Sequence, residues 1–328
     1  MNIAGSPRAV TLAAGIRLSE DSALGRTLLD RSIDWFARRR AFTFVLILLY
    51  VLAVSVLHEH VQAVVVFAMK AFSADLWLTA VGWFFRVAFL LTTLLLVGRV
   101  LSQEGGRAKL VYWASAVALT FAAVHWLSVN NNEYIHFFQY GLLTIPVYAL
   151  TGSFGQTAVW VTLGGAFDEA WQYGVLHAGW GIPYDFNDVI MNACGAGLGV
   201  VWICSMGSTR TIERPIGAWI ADQLNGTGWR TAVLVLMSGV VLLGTGLMAI
   251  HEPKIGAKPL LSLSRLEPKP FWFFDPTWGP KTFHILHPAE GVVLLALLLG
   301  WFSSLDRRWA SKKCTSRDRK AGPALTLN

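Results

Sequence analysis

The sequence predicts an all-α fold, a polytopic bundle of about eight transmembrane helices with both termini in the cytoplasm. Three observations carry this. Apolar residues make up 54% of the 328 residues and charged residues 14%, whereas soluble domains carry about 25% charged residues. The mean hydropathy is +0.50, and the apolar residues gather in runs close to the ~20 residues a helix needs to cross a bilayer. Lys and Arg then cluster on alternate sides of these runs, the pattern that keeps positive loops inside.

Residues 1–40 form a polar N-terminal segment, with a surface helix expected from Ser22 to Arg39. Leu29, Ile33 and Phe36 share one face there while Arg31, Arg38 and Arg39 snorkel, as in an interfacial helix. Residues 41–130 hold the N-terminal spans. Ala41–Leu57 is the first, an uncleaved anchor because it follows Arg38–Arg40 but has no small-residue cleavage site. His58, Glu59 and His60 end it, and Val61–Asp75 is expected along the interface. Leu76–Val100 is the second span and Lys109–Val129 the third.

Residues 131–206 form the core, with Tyr134–Leu150, Gln156–Leu176 and Asp188–Met206 as spans four to six. Residues 207–305 add Thr231–Ile250 and Ala289–Leu305, separated by an outer loop at 251–288 rich in Pro and aromatic residues. Residues 306–328 are a basic cytoplasmic tail. Arg38–Arg40, then Arg99, Arg107 and Lys109, then Arg210, Arg214 and Arg230, then Arg307 and Arg308 all fall on one side. The opposite short loops are nearly free of Lys and Arg, which places Asn130–Glu133, His177–Asn187 and 251–288 outside. The net charge of +7 reads as topology signal and anionic-lipid contact. Nucleic acid is not an expected partner, since no stacking surface interleaves the basic residues. Cys194 and Cys204 share one span and Cys314 lies in the tail, so no extracellular disulfide is expected.

The core carries three polar stripes at helical spacing: His136 with Tyr140, Asp168 and Glu169 with Gln172, and Asp188 with Asn192. Ionisable groups inside a bilayer persist mainly where they line a cavity or do chemistry. At 1.5 Å per residue Tyr140 lies ~9 Å, Gln172 ~9 Å, Glu169 ~13 Å and Asn192 ~7 Å from the outer surface. Arg86, ~15 Å from the outer end of its span, matches Asp168 and Glu169 in depth, so an Arg–carboxylate pair is expected at the floor of an outward polar pit. Glu133, His136 and Asp188 stand at its rim. Gly195 and Gly199 continue the third stripe as small-xxx-small packing positions, not as a nucleotide loop, because no strand precedes them. The groups His58–His60 and His284, His287, Glu290 lack the compact spacing of a zinc site, so neither a metal nor another cofactor is expected.

Glu133-Tyr134-Ile135-His136-Phe137, then Asp168-Glu169-Ala170-Trp171-Gln172, then Asn187-Asp188 through Asn192 and Gly195 with Gly199 resemble, in that order, the pattern of the VanZ-like family of membrane proteins. The resemblance spans Glu133 to Val200. It implies a multi-pass protein of a bacterial plasma membrane with a tie to envelope-directed glycopeptide resistance. The chain departs from the pattern at Tyr134, where lysine is usual, and between Val175 and Asp188, which hold no arginine; Arg86 is the candidate to supply the missing charge. Two function classes fit. In one, the pit binds or acts on a cell-envelope amphiphile, lipid-linked or glycopeptide-related, with Glu169, Asp168 and His136 as acid–base groups and Glu133, Tyr140, Gln172, Asp188, Asn192 and Arg86 as binding groups. In the other, the chain is a noncatalytic scaffold, or a transporter whose intramembrane acids carry protons. Membrane lipids are the expected partners in both.

Overall fold

Thr27 opens the first helix, α1 (Leu28–Arg38), with a reciprocal cap in which its side chain accepts from the Asp30 amide and Asp30 accepts from the Thr27 amide. The computed structural model describes residues 27–103, 106–177, 184–207, 209–211, 237–249, 261–262, 271–274 and 281–311. Helix α1 has one apolar face, and Leu29 and Ile33 rest against the main core. A bend of 102° separates it from α2 (Arg40–Val56). Thr43 Oγ1 holds the corner by donating to the Phe36 carbonyl, and Arg39 covers the Trp35 ring at 4.5 Å. An amphipathic helix thus meets an apolar one nearly at right angles, over the residues where a surface helix and a first span are expected.

Helix α3 (His58–Phe72) follows directly, so the expected interfacial stretch is helical. Next come α4 (Ala74–Leu101), α5 (Gly106–Trp126), a 3-10 turn at Asn131–Tyr134, α6 (Ile135–Thr151) and α7 (Phe154–Trp171). A π turn at Gln172–Leu176 widens the end of α7. The bundle is completed by α8 (Phe186–Met206), α9 (Pro288–Ser303) and the short α10 (Leu305–Arg308). Two minimal strand pairs are added: β1 (Thr209–Thr211) antiparallel to β4 (Trp309–Ser311), and β2 (Met248–Ala249) parallel to β3 (Leu261–Ser262).

Among the described residues four helical segments are long and apolar enough to cross a membrane: Ala74–Leu101, Gly106–Trp126, Phe186–Met206 and Pro288–Arg308. Counting the bent pair α1–α2 as one span gives five. The expected fourth span, α6, is one 17-residue helix with Pro146 inside it. The fifth corresponds to α7 with its π turn. Of the seventh, Thr231–Ile250, only residues 237–249 are described, and residues 1–26, most of the 251–288 loop and the tail beyond 311 lie outside the described residues.

Helix α8 is the axis. Its apolar window is 83% buried, against 11% for α4, and it packs on α5, α6, α7 and α9. Glycine permits the closeness. A Cβ on Gly195 would stand 2.9 Å from the Phe137 carbonyl and one on Gly199 2.5 Å from the Gly141 carbonyl, so α6 and α8 touch backbone to backbone. At the opposite end of α7, Asp306 accepts from the Phe154 and Gly155 amides and the Ser153 hydroxyl, all at 2.7 Å. A carboxylate on a helix N-terminus is favourable there, and it ties α7 to α10. Cys194 and Cys204 are buried in α8 and neither is in a disulfide.

Candidate functional site

The three polar stripes converge where α6 begins, α7 ends and α8 begins. His136 lies one residue into α6 and is 6% exposed. Its Nδ1 is 2.9 Å from Asn192 Oδ1 and its Nε2 3.7 Å from Asp188 Oδ2. One imidazole therefore spans a single turn of α8, as the four-residue spacing of Asp188 and Asn192 allows. One turn further along α6, Tyr140 donates its hydroxyl to Asp168 Oδ2 on α7 at 3.0 Å. Beside Asp168, Glu169 accepts from Gln172 Nε2 at 3.3 Å. Gly165 makes room, since a Cβ there would meet Asn192 at 2.7 Å.

Asp168, Glu169, Gln172 and Asn192 are all buried, Asp168 at 1% and Asn192 at 0% exposure. The expected open pit is thus a buried polar cluster, and among the described residues Asp185 is exposed while Asp188 and Glu133 are half-buried. Two atoms of the floor, Asp168 Oδ1 and Asn192 Nδ2, have no hydrogen-bond partner among the described residues. Buried polar atoms are nearly always satisfied, so an unfilled acceptor and donor in one cluster are unusual. Orienting the Asn192 oxygen toward His136 places the hydrogen of a neutral imidazole on Nδ1. Nε2 then faces Asp188 at 3.7 Å, a gap slightly too long for a hydrogen bond.

The cap of α8 is Asp185, which accepts from the Asn187 amide at 2.7 Å and the Asp188 amide at 3.4 Å. That frees Asp188 to face His136. Asn187 is elsewhere: its Nδ2 donates to the Leu127 and His284 carbonyls and its Oδ1 accepts from the Leu286 amide. It clamps the segment before α9 onto the bundle. Glu133, on the 3-10 turn, accepts from the Val129 amide at 2.7 Å. Burial, and secondarily the Asp188 charge, pushes its carboxyl well above the ordinary range.

Arg86 is not at this floor. Its guanidinium stands 5.4 Å over the Trp83 ring, the residue is exposed, and among the described residues it makes no ion pair. The depth match misled because α4 begins beyond the polar end of the bundle. Asn131 donates to the Leu78 carbonyl and packs on Gly82, which puts the polar turn level with those residues of α4. Arg86 therefore lies only four residues, about 6 Å, below that turn.

The sequence reading missed the start of α3. Glu59 Oε1 is 3.2 Å from His177 Nε2, just past the π turn. His58 lies within electrostatic reach of Asp168, His136 and His177, and burial above all lowers its basicity. The signal was available: His58-Glu59-His60 ends the first span on the side where the three stripes sit. Among the described residues no group of three or more His, Cys, Asp or Glu is arranged to hold a metal ion. Tested against known proteins, the chain matches no family model, no curated protein and no solved structure.

Proposed function

We propose that this chain is an eight-span bacterial plasma-membrane protein of the VanZ-like type, whose acidic cluster faces outward and takes up the headgroup of a cell-envelope amphiphile. Support for the topology comes from the Lys/Arg distribution. Support for the site comes above all from one observation: His136, Asp168 and Asn192, from three helices, meet in a buried cluster that leaves an acceptor and a donor unfilled. A headgroup amide or hydroxyl can complete both. Glu169 and Asp168 act as proton-holding carboxyl groups, and His136 relays between Asp188 and the floor. Tyr140, Gln172 and Glu133 position these groups. The carboxyl-rich lining favours a headgroup that presents N–H or O–H donors over an anionic one.

Glu169→Gln tests the reading, since it keeps the side chain's size and its acceptor for Gln172 but removes the ionisable group. The expected variant inserts and folds at wild-type abundance yet loses the envelope-drug or lipid phenotype that the wild type supports. Mass spectrometry of co-purifying lipids should show a species present with the wild type and absent from Glu169→Ala. If Glu169→Gln works as well as wild type at equal abundance, acid–base action at this position is wrong, and a noncatalytic scaffold is the better account.

A further inference from the structure

A second site lies on the side of the bundle, apart from the acidic cluster. Between α4, α5, α6 and α8 a cavity of about 420 Å³ is lined almost wholly by apolar side chains, among them Phe89, Trp113, Ile145 and Trp202. It reaches the periphery, because Phe121 and Leu142 in its wall are 62% and 60% exposed. Its one charged lining residue among those described is Arg86. The Phe89 ring contacts both Trp113 and Phe121 on antiparallel α5, at 5.9 and 6.1 Å. Arg86, one turn nearer the polar end, is therefore level with Thr120 and Val124 and not with Trp113. The cavity is amphipathic along its length, with Arg86 and Thr120 toward the polar turn and Trp113, Ile145 and Trp202 deeper.

The guanidinium in this wall is unanswered among the described residues. Arg86 has five N–H donors, and a cation–π contact with Trp83 satisfies none of them. A guanidinium in an apolar membrane groove is costly without a counter-anion, and its planar fork matches two phosphate oxygens.

We propose that this groove holds one anionic phospholipid from the leaflet at the polar end. Its phosphate lies against Arg86, and one acyl chain runs between Phe89, Ile145 and Trp202. Arg86 lies about 6 Å below the polar turn, a depth that a headgroup drawn slightly inward can reach. The site does not depend on what the acidic cluster does.

Native mass spectrometry of the detergent-solubilised full chain, titrated with phosphatidylglycerol and separately with phosphatidylcholine, tests this. The wild type should retain one phosphatidylglycerol per chain and prefer it to phosphatidylcholine. Arg86→Gln should weaken retention about tenfold, the scale of one lost charged hydrogen bond. Leu142→Trp fills the groove from an exposed position and should lower retention with Arg86 intact. Both variants change exposed side chains, and the second still decides the matter if the first fails to solubilise. Undiminished retention in either variant, or equal retention of the two lipids by the wild type, overturns the proposal.

Discussion

His136 has two ring nitrogens, and the fold gives each a different neighbour, Asn192 at Nδ1 and Asp188 at Nε2. A double-mutant cycle of His136→Ala and Asp188→Asn measures whether the second contact is an interaction. Groups this close show coupling of about 0.5–3 kcal/mol, so melting temperatures of the two single variants and the double should be non-additive. Strict additivity means the rim and the imidazole are independent. Glu133 gives a pH test. Its folded-state pKa is raised by burial and by Asp188 above the ordinary 4.5. Between those two values the folded chain holds a proton that the unfolded chain has lost, so stability falls as pH rises through that window. Thermal melting should therefore be higher near pH 5 than near pH 8, and Glu133→Gln, which keeps an acceptor for the Val129 amide, should flatten part of the slope. A steeper slope in the variant would contradict the assignment. Residue spacing made the three polar stripes legible beforehand, since His136 and Tyr140, and likewise Asp188 and Asn192, stand one turn apart. It could not reveal that Asp185 takes the cap, because Asp185 and Asp188 both suit a helix start and only the backbone decides which one bends back.

At the scale of elements, α8 is held by small residues more than by polar ones. Gly199→Ala should damage the bundle, since the new Cβ would stand 2.3 Å from Thr144 Oγ1 and 2.5 Å from a backbone carbonyl that cannot rotate away. Overpacking of this kind costs about 1–3 kcal/mol, and the expected readout is lower folded yield on size-exclusion chromatography. Gly98 on α4, with nothing near its Cβ position, is the control and should accept alanine. Equal behaviour of the two variants would remove the close α6–α8 crossing from the account. The stripe of Gly195 and Gly199 was readable from the sequence because helical period and small size coincide. The misplacement of Arg86 was not avoidable by the same reasoning. Counting residues from a helix end gives depth only if every helix starts at the same level, and α4, 28 residues long, overshoots the turn at Asn131. By contrast the place of His58, within electrostatic reach of Asp168 at the tight junction of α2 and α3, was signalled by the run His58-Glu59-His60 at the end of the first apolar run.

The whole molecule is a question of sides. Among the described residues five segments at most are long and apolar enough to cross, while the eight-span arrangement needs α6, α7 and the expected Thr231–Ile250 span to cross as well. Helices α6 and α7 can do so because they are sheathed: α6 packs on α1, α2, α7 and α8, and α7 packs on α2, α8 and α9. Helices shielded by neighbours need less apolar surface, as the buried polar stripes require. If α6 and α7 each cross, the acidic cluster and the Asp306 cap of α7 fall on opposite faces of the membrane, and the Lys/Arg bias puts Asp306 inside. Reporter fusions decide it. A fusion after Gly207, past the end of α8, should report cytoplasm, and one after Lys258 should report the outside. Moving the positive bias, by changing Arg99 and Arg107 to Gln, should weaken the first signal if charge sets the orientation, because those residues flank the turn between α4 and α5 on the same face. An outside signal after Gly207 inverts the bundle, and the cluster of His136, Asp168 and Glu169 would then face the cytoplasm, where an envelope headgroup could not reach it.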